Sequence, residues 1–367
     1  FKFVIGHHLL FISRNFKRFK VSFFINLIGL SVGLVSTLLI YFWIKDELKI
    51  DNFNEKNSQL YQVLRNEPLN NTINTEEYTP GLLARSIVST IPEVENAVAV
   101  VPPNHTYNGV ISNERSKIFV SSQFADHDFF RVFTYDFIAG DKNTVLLNKS
   151  AISISEQLAV KLFSTTDNVI GKTISFENEY FAGSYLISGI FKSQLSASTK
   201  FDVLFNYDLF LERRSEVKEW SNGGPSTFVV VKQNADINNV ADKITRLFLS
   251  KRQNTKETLI IQRFSERYLY GTYENGVPVA GRMIYVRLFG LIAFFILGIA
   301  CINFMNLSTA KAARRMKEVG IKKVLGANRG GLIVQYIGES MLLTFISLFI
   351  ALLATELLLP QFNYSIP

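Results

Sequence analysis

The chain holds a single cysteine in 367 residues, which removes a disulfide framework from the ways it could be held together. Its four histidines, His7, His8, His105 and His127, are scattered and share no metal-ligand spacing with cysteines or carboxylates, so no metal centre is expected. No G-x-S-x-G elbow accompanies Asp126-His127-Asp128. That triplet reads instead as a surface turn capping the aromatic run that opens at Phe129 and Phe130. Ile170-Gly171-Lys172-Thr173 carries the G-K-T of a phosphate loop, but Thr166 stands where the motif needs its first glycine. A turn before a strand is the expectation there. No residue is assigned a catalytic, cofactor-binding or metal-binding role, and the chain is not expected to be an enzyme.

Charge is also missing, but only locally. Val21–Ile44 runs 24 residues without one charged side chain, and as a helix it would reach about 36 Å, enough to cross a hydrocarbon core of about 30 Å. Similar runs occupy 288–310 and 332–359. Three spans are therefore expected, with 45–287 as one large domain between the first and the second. The first run is an anchor and not a cleaved signal. Its apolar core is too long, and Trp43, Ile44, Lys45 and Asp46 follow where a small-x-small site would stand.

The net charge of +8 sits beside the spans. Residues 1–20 carry Lys2, Arg14, Lys17, Arg18 and Lys20 with no acid, and 311–331 carry seven basic side chains against Glu318. Basic loops flanking spans stay in the cytoplasm. This places both segments inside and the near-neutral domain outside, and it argues against nucleic acid as a partner. Segment 1–20 reads as an amphipathic leader at the inner membrane surface, with Phe3, Leu10, Phe11 and Phe19 among its basic residues.

Within the spans, Gly29 and Gly33 form a G-x-x-x-G close-packing pattern. Glu339 and Glu356 lie about 25 Å apart on one helix. That separation suits one carboxylate at each membrane interface and leaves none at mid-bilayer. The third helix is expected to enter the lipid only after Glu339.

The large domain alternates as an α+β fold. Gln59–Arg65, Thr79–Ile91 and Ala97–Val101 read as strand, helix and strand; Thr227–Lys232, Asp236–Ser250 and Leu259–Gln262 repeat that order. Together they resemble a split ferredoxin-like β-α-β unit, interrupted at about 106–200 by an inserted, strand-rich subdomain. The insertion's strands are Ile118–Ser121, Ala151–Ile154, Thr173–Phe176 and Tyr185–Phe191, and its helix Ser155–Phe163 has Ser155 as cap.

The most specific segment is Arg314–Asn328. A topology flank would need its Lys and Arg but neither Glu318 nor the two glycines. On a helix, Met316, Val319 and Lys323 project on neighbouring turns, while Gly326 and Asn328 end it. R-x-x-E-V-G-I-x-K-x-L-G-A, from Arg315 to Ala327, resembles the signature loop of the FtsX/MacB-type ABC transporter permeases, and Gln335-Tyr-Ile-Gly-Glu339 resembles their Q-F-x-x-E. Phe129-Phe-Arg-Val-Phe133, Ala139-Gly-Asp141, Ile152-Ser-Ile-Ser-Glu156 with Ala159, Lys161-Leu-Phe163 and Ile170-Gly-Lys-Thr173 are similar to the MacB-type periplasmic core domain.

The resemblance implies an α-helical membrane fold of four spans, the fourth expected beyond Pro367 after an outer loop that starts at 360–367. The chain is thus expected to be part of a longer or duplicated permease in a bacterial inner membrane. A separate ABC ATPase would bind ATP and Mg, so that this chain needs no cofactor. The assembly would be dimeric, through a second permease or a second half, and surrounded by lipid. A periplasmic adaptor or outer-membrane duct would be a further partner. The implied activity is mechanotransmission for efflux or extraction of a peptide, lipoprotein or antibiotic. Arg315, Glu318, Val319, Gly320, Ile321, Lys323, Leu325 and Gly326 would form the ATPase-coupling surface. The alternative is a membrane-anchored sensor with an outer ligand-binding domain; against it, only about 20 residues follow the second span before the chain re-enters the membrane.

Overall fold

A computed structural model describes residues 20–113, 116–252, 254–314 and 316–365. The leader at 1–19 and Arg315 lie outside the described residues. The chain divides into two compact units, Leu48–Met283 and the segments on either side of it.

The first helix, α1 (Lys20–Glu47), belongs to the flanking unit, and the large domain follows. Its first half contains β1 (Leu60–Leu69), β2 (Thr72–Glu76), α2 (Leu83–Thr90) and β3 (Val94–Val101). The middle contains β4 (Gly109–Ser112), β5 (Lys117–Val120), β6 (Ser122–Ala125), α3 (Phe129–Val132), β7 (Phe137–Ala139), β8 (Ala151–Ser155), α4 (Glu156–Phe163), β9 (Thr173–Glu177), β10 (Gly183–Phe191), β11 (Val203–Asn206) and α5 (Tyr207–Arg213). The last part has β12 (Ser226–Val231), α6 (Ile237–Lys251), β13 (Thr258–Arg263), α7 (Phe264–Tyr270) and the hairpin of β14 (Thr272–Glu274) and β15 (Val277–Val279).

The two β-α-β halves interleave in the order β13-β1-β12-β3, every neighbour antiparallel. The middle strands do not build a sheet of their own. They extend the same sheet as β6-β11-β8-β10-β9-β4-β5, with β6/β11 and β8/β10 parallel, so thirteen strands share one sheet. Strand alternation then feeds two apolar layers: Val229 and Val231 enter one, Phe228 and Val230 the other. The first layer stacks Phe124 on Phe205 at 5.0 Å and Phe181 on Phe210 at 5.8 Å, and α6 buries Val240, Ile244 and Phe248 in it.

Local signals set the helix ends. Asp236 caps α6 by accepting from Asn238 N at 3.0 Å, and Ser155 caps α4 by accepting from Leu158 N at 3.2 Å. The expected helix at Thr79–Ile91 starts later, at Leu83. Thr79 belongs to the preceding loop, where its N–H donates to Pro225 O at 2.8 Å.

The other unit gathers α1 with α8 (Met283–Arg314), α9 (Met316–Val324) and α10 (Arg329–Ser365). Segments Phe23–Glu47, Met283–Ala310 and Arg329–Phe362 are long and apolar enough to cross a membrane. These helices outrun the apolar runs of the sequence by a few polar residues at several ends, as expected where a helix continues into the interface. Helix α10 continues unbroken from Arg329 through Pro360, with Glu356 exposed and Glu339 half-buried. Ser31 donates to Ser347 O at 3.3 Å between α1 and α10. At Gly33 α1 approaches α8 tightly: an added Cβ would stand 2.6 Å from Ala300 Cβ. At Gly29 the added atom would stand 3.2 Å from Asn303 Nδ2.

Candidate functional site

Helix α9 lies between the last two long helices, and its C-terminal end follows from its sequence. Gly326 takes φ +86°, a conformation that glycine adopts without a Cβ penalty. Its N–H then donates to Lys323 O at 3.0 Å while the Ala327 N–H donates to Lys322 O at 2.9 Å. Those two bonds are the Schellman closure of a helix C-terminus. Asn328 opens the next helix: its side-chain oxygen accepts from Gly330 N at 3.3 Å, as an N-cap does.

At about 100° per residue, Met316, Val319, Gly320 and Lys323 share one face of α9, and Glu318 and Lys322 lie opposite. None of the described residues of α9 is buried. Met316 and Ile321 are well exposed, and Val324 and Leu325 reach 88% and 80% exposure. A Cβ added at Gly320 meets nothing within 4 Å. Apolar side chains gain little by facing water, so the exposed Met316, Ile321, Val324 and Leu325 suit a partner.

The Glu318 carboxylate pairs with Lys322 at 3.3 Å, one turn on; Arg315 lies outside the described residues. The spacing i,i+4 with Glu first is the favourable order for such a pair, so this contact was legible in the sequence.

The other motifs resolve into structural roles. Gly171 (φ +85°) forms the turn before β9, and Lys172 lies over the Phe163 ring at 4.7 Å. Asp126-His127-Asp128 is only partly a surface turn. His127 is exposed, but Asp126 is buried, accepting from Ala99 N at 2.9 Å and pairing with Arg85 at 2.6 Å. Burial pushes the Asp126 carboxyl up, against the opposing pull of Arg85. Among the described residues no group of three or more His, Cys, Asp or Glu could hold a metal ion.

Sequence reading missed a buried polar clamp in the large domain. Asp51, 1% exposed, takes φ +59° and accepts from Ser198 N at 2.8 Å and Ser198 Oγ at 2.6 Å. Arg267, on α7, approaches Asp51 at 3.5 Å and donates to Ser198 Oγ at 2.7 Å. The clamp joins the segment just after α1, the loop after β10 and the helix that precedes β14, β15 and α8. No local pattern announces a pair 216 positions apart.

Comparison with known proteins adds the following. Residues 23–247 match the model of the MacB-like periplasmic core domain, and residues 290–367 match that of the FtsX-like permease C-terminal domain. Macrolide export ATP-binding/permease proteins MacB of Neisseria gonorrhoeae and Neisseria meningitidis are similar, each 24% identical over 255 residues, covering 69% of this chain. The chain spans 37% of the length of those relatives. Among solved structures, a domain of a protein assigned as a permease in Porphyromonas gingivalis is 15% identical, with TM-score 0.49, over 64% of this chain and 99% of that one. The periplasmic region of MacB from Actinobacillus actinomycetemcomitans is 13% identical, with TM-score 0.39, over 57% and 90%.

Proposed function

The chain belongs to the FtsX/MacB-type permeases of ABC transporters, and from that premise we propose that it passes ATP-driven movement across a bacterial inner membrane to its large outer domain. The observation that carries this reading is α9, a helix between two long apolar helices where Met316, Ile321, Val324 and the following Leu325 are exposed. A separate ATPase subunit docks on it and holds ATP and Mg; this permease chain contributes the contact and no chemistry. Arg315, Glu318, Val319, Gly320, Ile321, Lys323, Leu325 and Gly326 form that contact, with Gly320 admitting the partner close to the helix backbone. Movement of the long helices reaches the outer domain through the segments that follow α1 and precede α8, both held by the Asp51–Arg267 clamp. Two permease units make the working assembly. Its cargo is a peptide, a lipoprotein or an antibiotic, a range that includes the macrolide export named for the neisserial relatives.

Two experiments test this. A leucine at Gly320 meets no atom of its own chain near its Cβ, and Glu318→Lys opposes Lys322 at a cost of only a few tenths of a kcal/mol in the helix. Both variants are therefore expected to insert and fold. If the ATPase seats here, each weakens its binding by about tenfold or more, the scale of one interface hot spot. Normal copurification with full transport activity would reduce the loop to a topology anchor. For orientation, single cysteines are placed in a Cys301→Ala background and tested with an impermeant thiol reagent on cells with a permeabilised outer membrane. Positions Asn178 and Asn222 are expected to label and Asn328 to stay protected; labelling at Asn328 would reverse the topology.

A further inference from the structure

The second apolar layer of the outer domain contains a small cavity that the coupling mechanism does not use. Its walls include Phe129, Phe133, Phe228 and Phe264, and its volume is about 40 Å³, room for about three water-sized groups. Besides Asp51, two nearly buried polar residues line it. Gln123, 3% exposed, and Ser226, 2% exposed, project from β6 and β12 toward the same layer as Ala125 and Phe228. Neither the Gln123 carboxamide nor the Ser226 hydroxyl has a hydrogen-bond partner among the described residues. The same holds for the Tyr135 hydroxyl, which also lines the cavity. Gln123 and Ser226 are nearly buried and Tyr135 half-buried, and polar groups that face a void gain by taking a hydrogen-bond partner there. The arrangement calls for a guest.

The chemistry of that guest follows from the walls. Arg267 lines the cavity too, but its guanidinium is already matched by Asp51 at 3.5 Å and Glu77 at 3.8 Å. The site therefore carries no surplus charge and does not call for an anion. Gln123 and Ser226 each donate and accept, which complements an amide, itself a donor and an acceptor. Six phenylalanine rings around a void of this size suit three or four carbon atoms, the bulk of an isopropyl or isobutyl group. We propose that this cavity receives a branched aliphatic side chain of a peptide, with the adjoining main-chain amide bonded by Gln123 and Ser226. The choice of a peptide, and nothing else in this inference, rests on the transport reading above.

The test uses the full chain in lipid nanodiscs without ATPase, so that its outcome is independent of the α9 variants. The probe is N-acetyl-L-leucinamide, observed by saturation-transfer NMR. Transfer to its methyl groups is expected in the wild type, with N-acetylglycinamide giving a much weaker signal. Gln123→Leu and Ser226→Val are each expected to weaken binding about tenfold, the ratio expected on losing one hydrogen bond. Should either variant fail to fold, Gln123→Met and Ser226→Cys take its place. Equal transfer in the wild type and the folded variants would overturn the proposal. So would an absence of transfer in the wild type, which would make the cavity a water site only.

Discussion

Asp51→Ala is expected to destabilise the outer domain by about 3–5 kcal/mol, the range seen when one partner of a buried ion pair is removed. The wild-type carboxylate is almost wholly buried and takes two bonds from Ser198 besides facing Arg267. Without it, Arg267, whose side chain is 16% exposed, keeps among the described residues Glu77 at 3.8 Å as its acidic neighbour. The left-handed backbone at Asp51 adds a smaller penalty for alanine, because aspartate and asparagine tolerate φ +59° better. Asp51→Asn should therefore fall between the two, retaining shape and backbone preference but losing charge. Urea unfolding can be followed by Trp220, which lies in the domain, in a Trp43→Phe background. The midpoint should drop with little change in slope. Combined with Arg267→Met, the effects should fall well short of additive, as they do for residues in contact. Additive losses, or an unmoved midpoint, would show that the clamp holds nothing. The same variant has a functional signature: transport should fall while the ATPase still binds, the opposite of the α9 variants.

How much of this could be read in the sequence depended on the range of the interactions involved. The spans were legible because an uncharged run of 24 residues has few other uses. Strands β1, β3, β12 and β13 were legible because they are longer runs rich in β-branched and aromatic residues, such as Thr227–Val231, and α4 and α6 because Ser155 and Asp236 cap them. The missed strands β6 and β11 are four residues each and buried at every position, so no alternation marks them. They pair in parallel across a separation of about 80 residues. For that reason the middle segment read as a separate subdomain although its strands continue the same sheet. The C-terminal end of α9 was legible in Gly326 and Asn328, and the i,i+4 order of Glu318 and Lys322 marks their pair. The clamp and the polar groups of the cavity were invisible, since Asp51, Gln123, Ser226 and Arg267 come together only after the whole sheet forms.

Gly33→Leu is expected to disrupt the packing of α1 against α8. The van der Waals contact that drives helix association in lipid depends on close approach of small residues. At this point the approach is at its limit, because even one added methyl carbon would stand 2.6 Å from Ala300 Cβ, closer than such atoms come. A leucine therefore forces the helices apart along this seam. Overpacking in a well-packed region costs about 1–3 kcal/mol, and backbone displacement over several turns places this case at the upper end. Gly29→Ala is expected to be milder, since its neighbour is the end of a movable side chain, Asn303 Nδ2, at 3.2 Å. The informative experiment is a rescue. Gly33→Ala should lower the unfolding temperature of the chain in bicelles, and adding Ala300→Gly should restore it by removing the atom the new methyl group strikes. A purely intrinsic effect of glycine on the helix would predict the reverse, with Gly33→Ala stabilising the span and Ala300→Gly weakening it further. The sign of the double variant relative to Gly33→Ala therefore decides whether Gly33 is a packing residue or one of the ordinary glycines of a membrane helix.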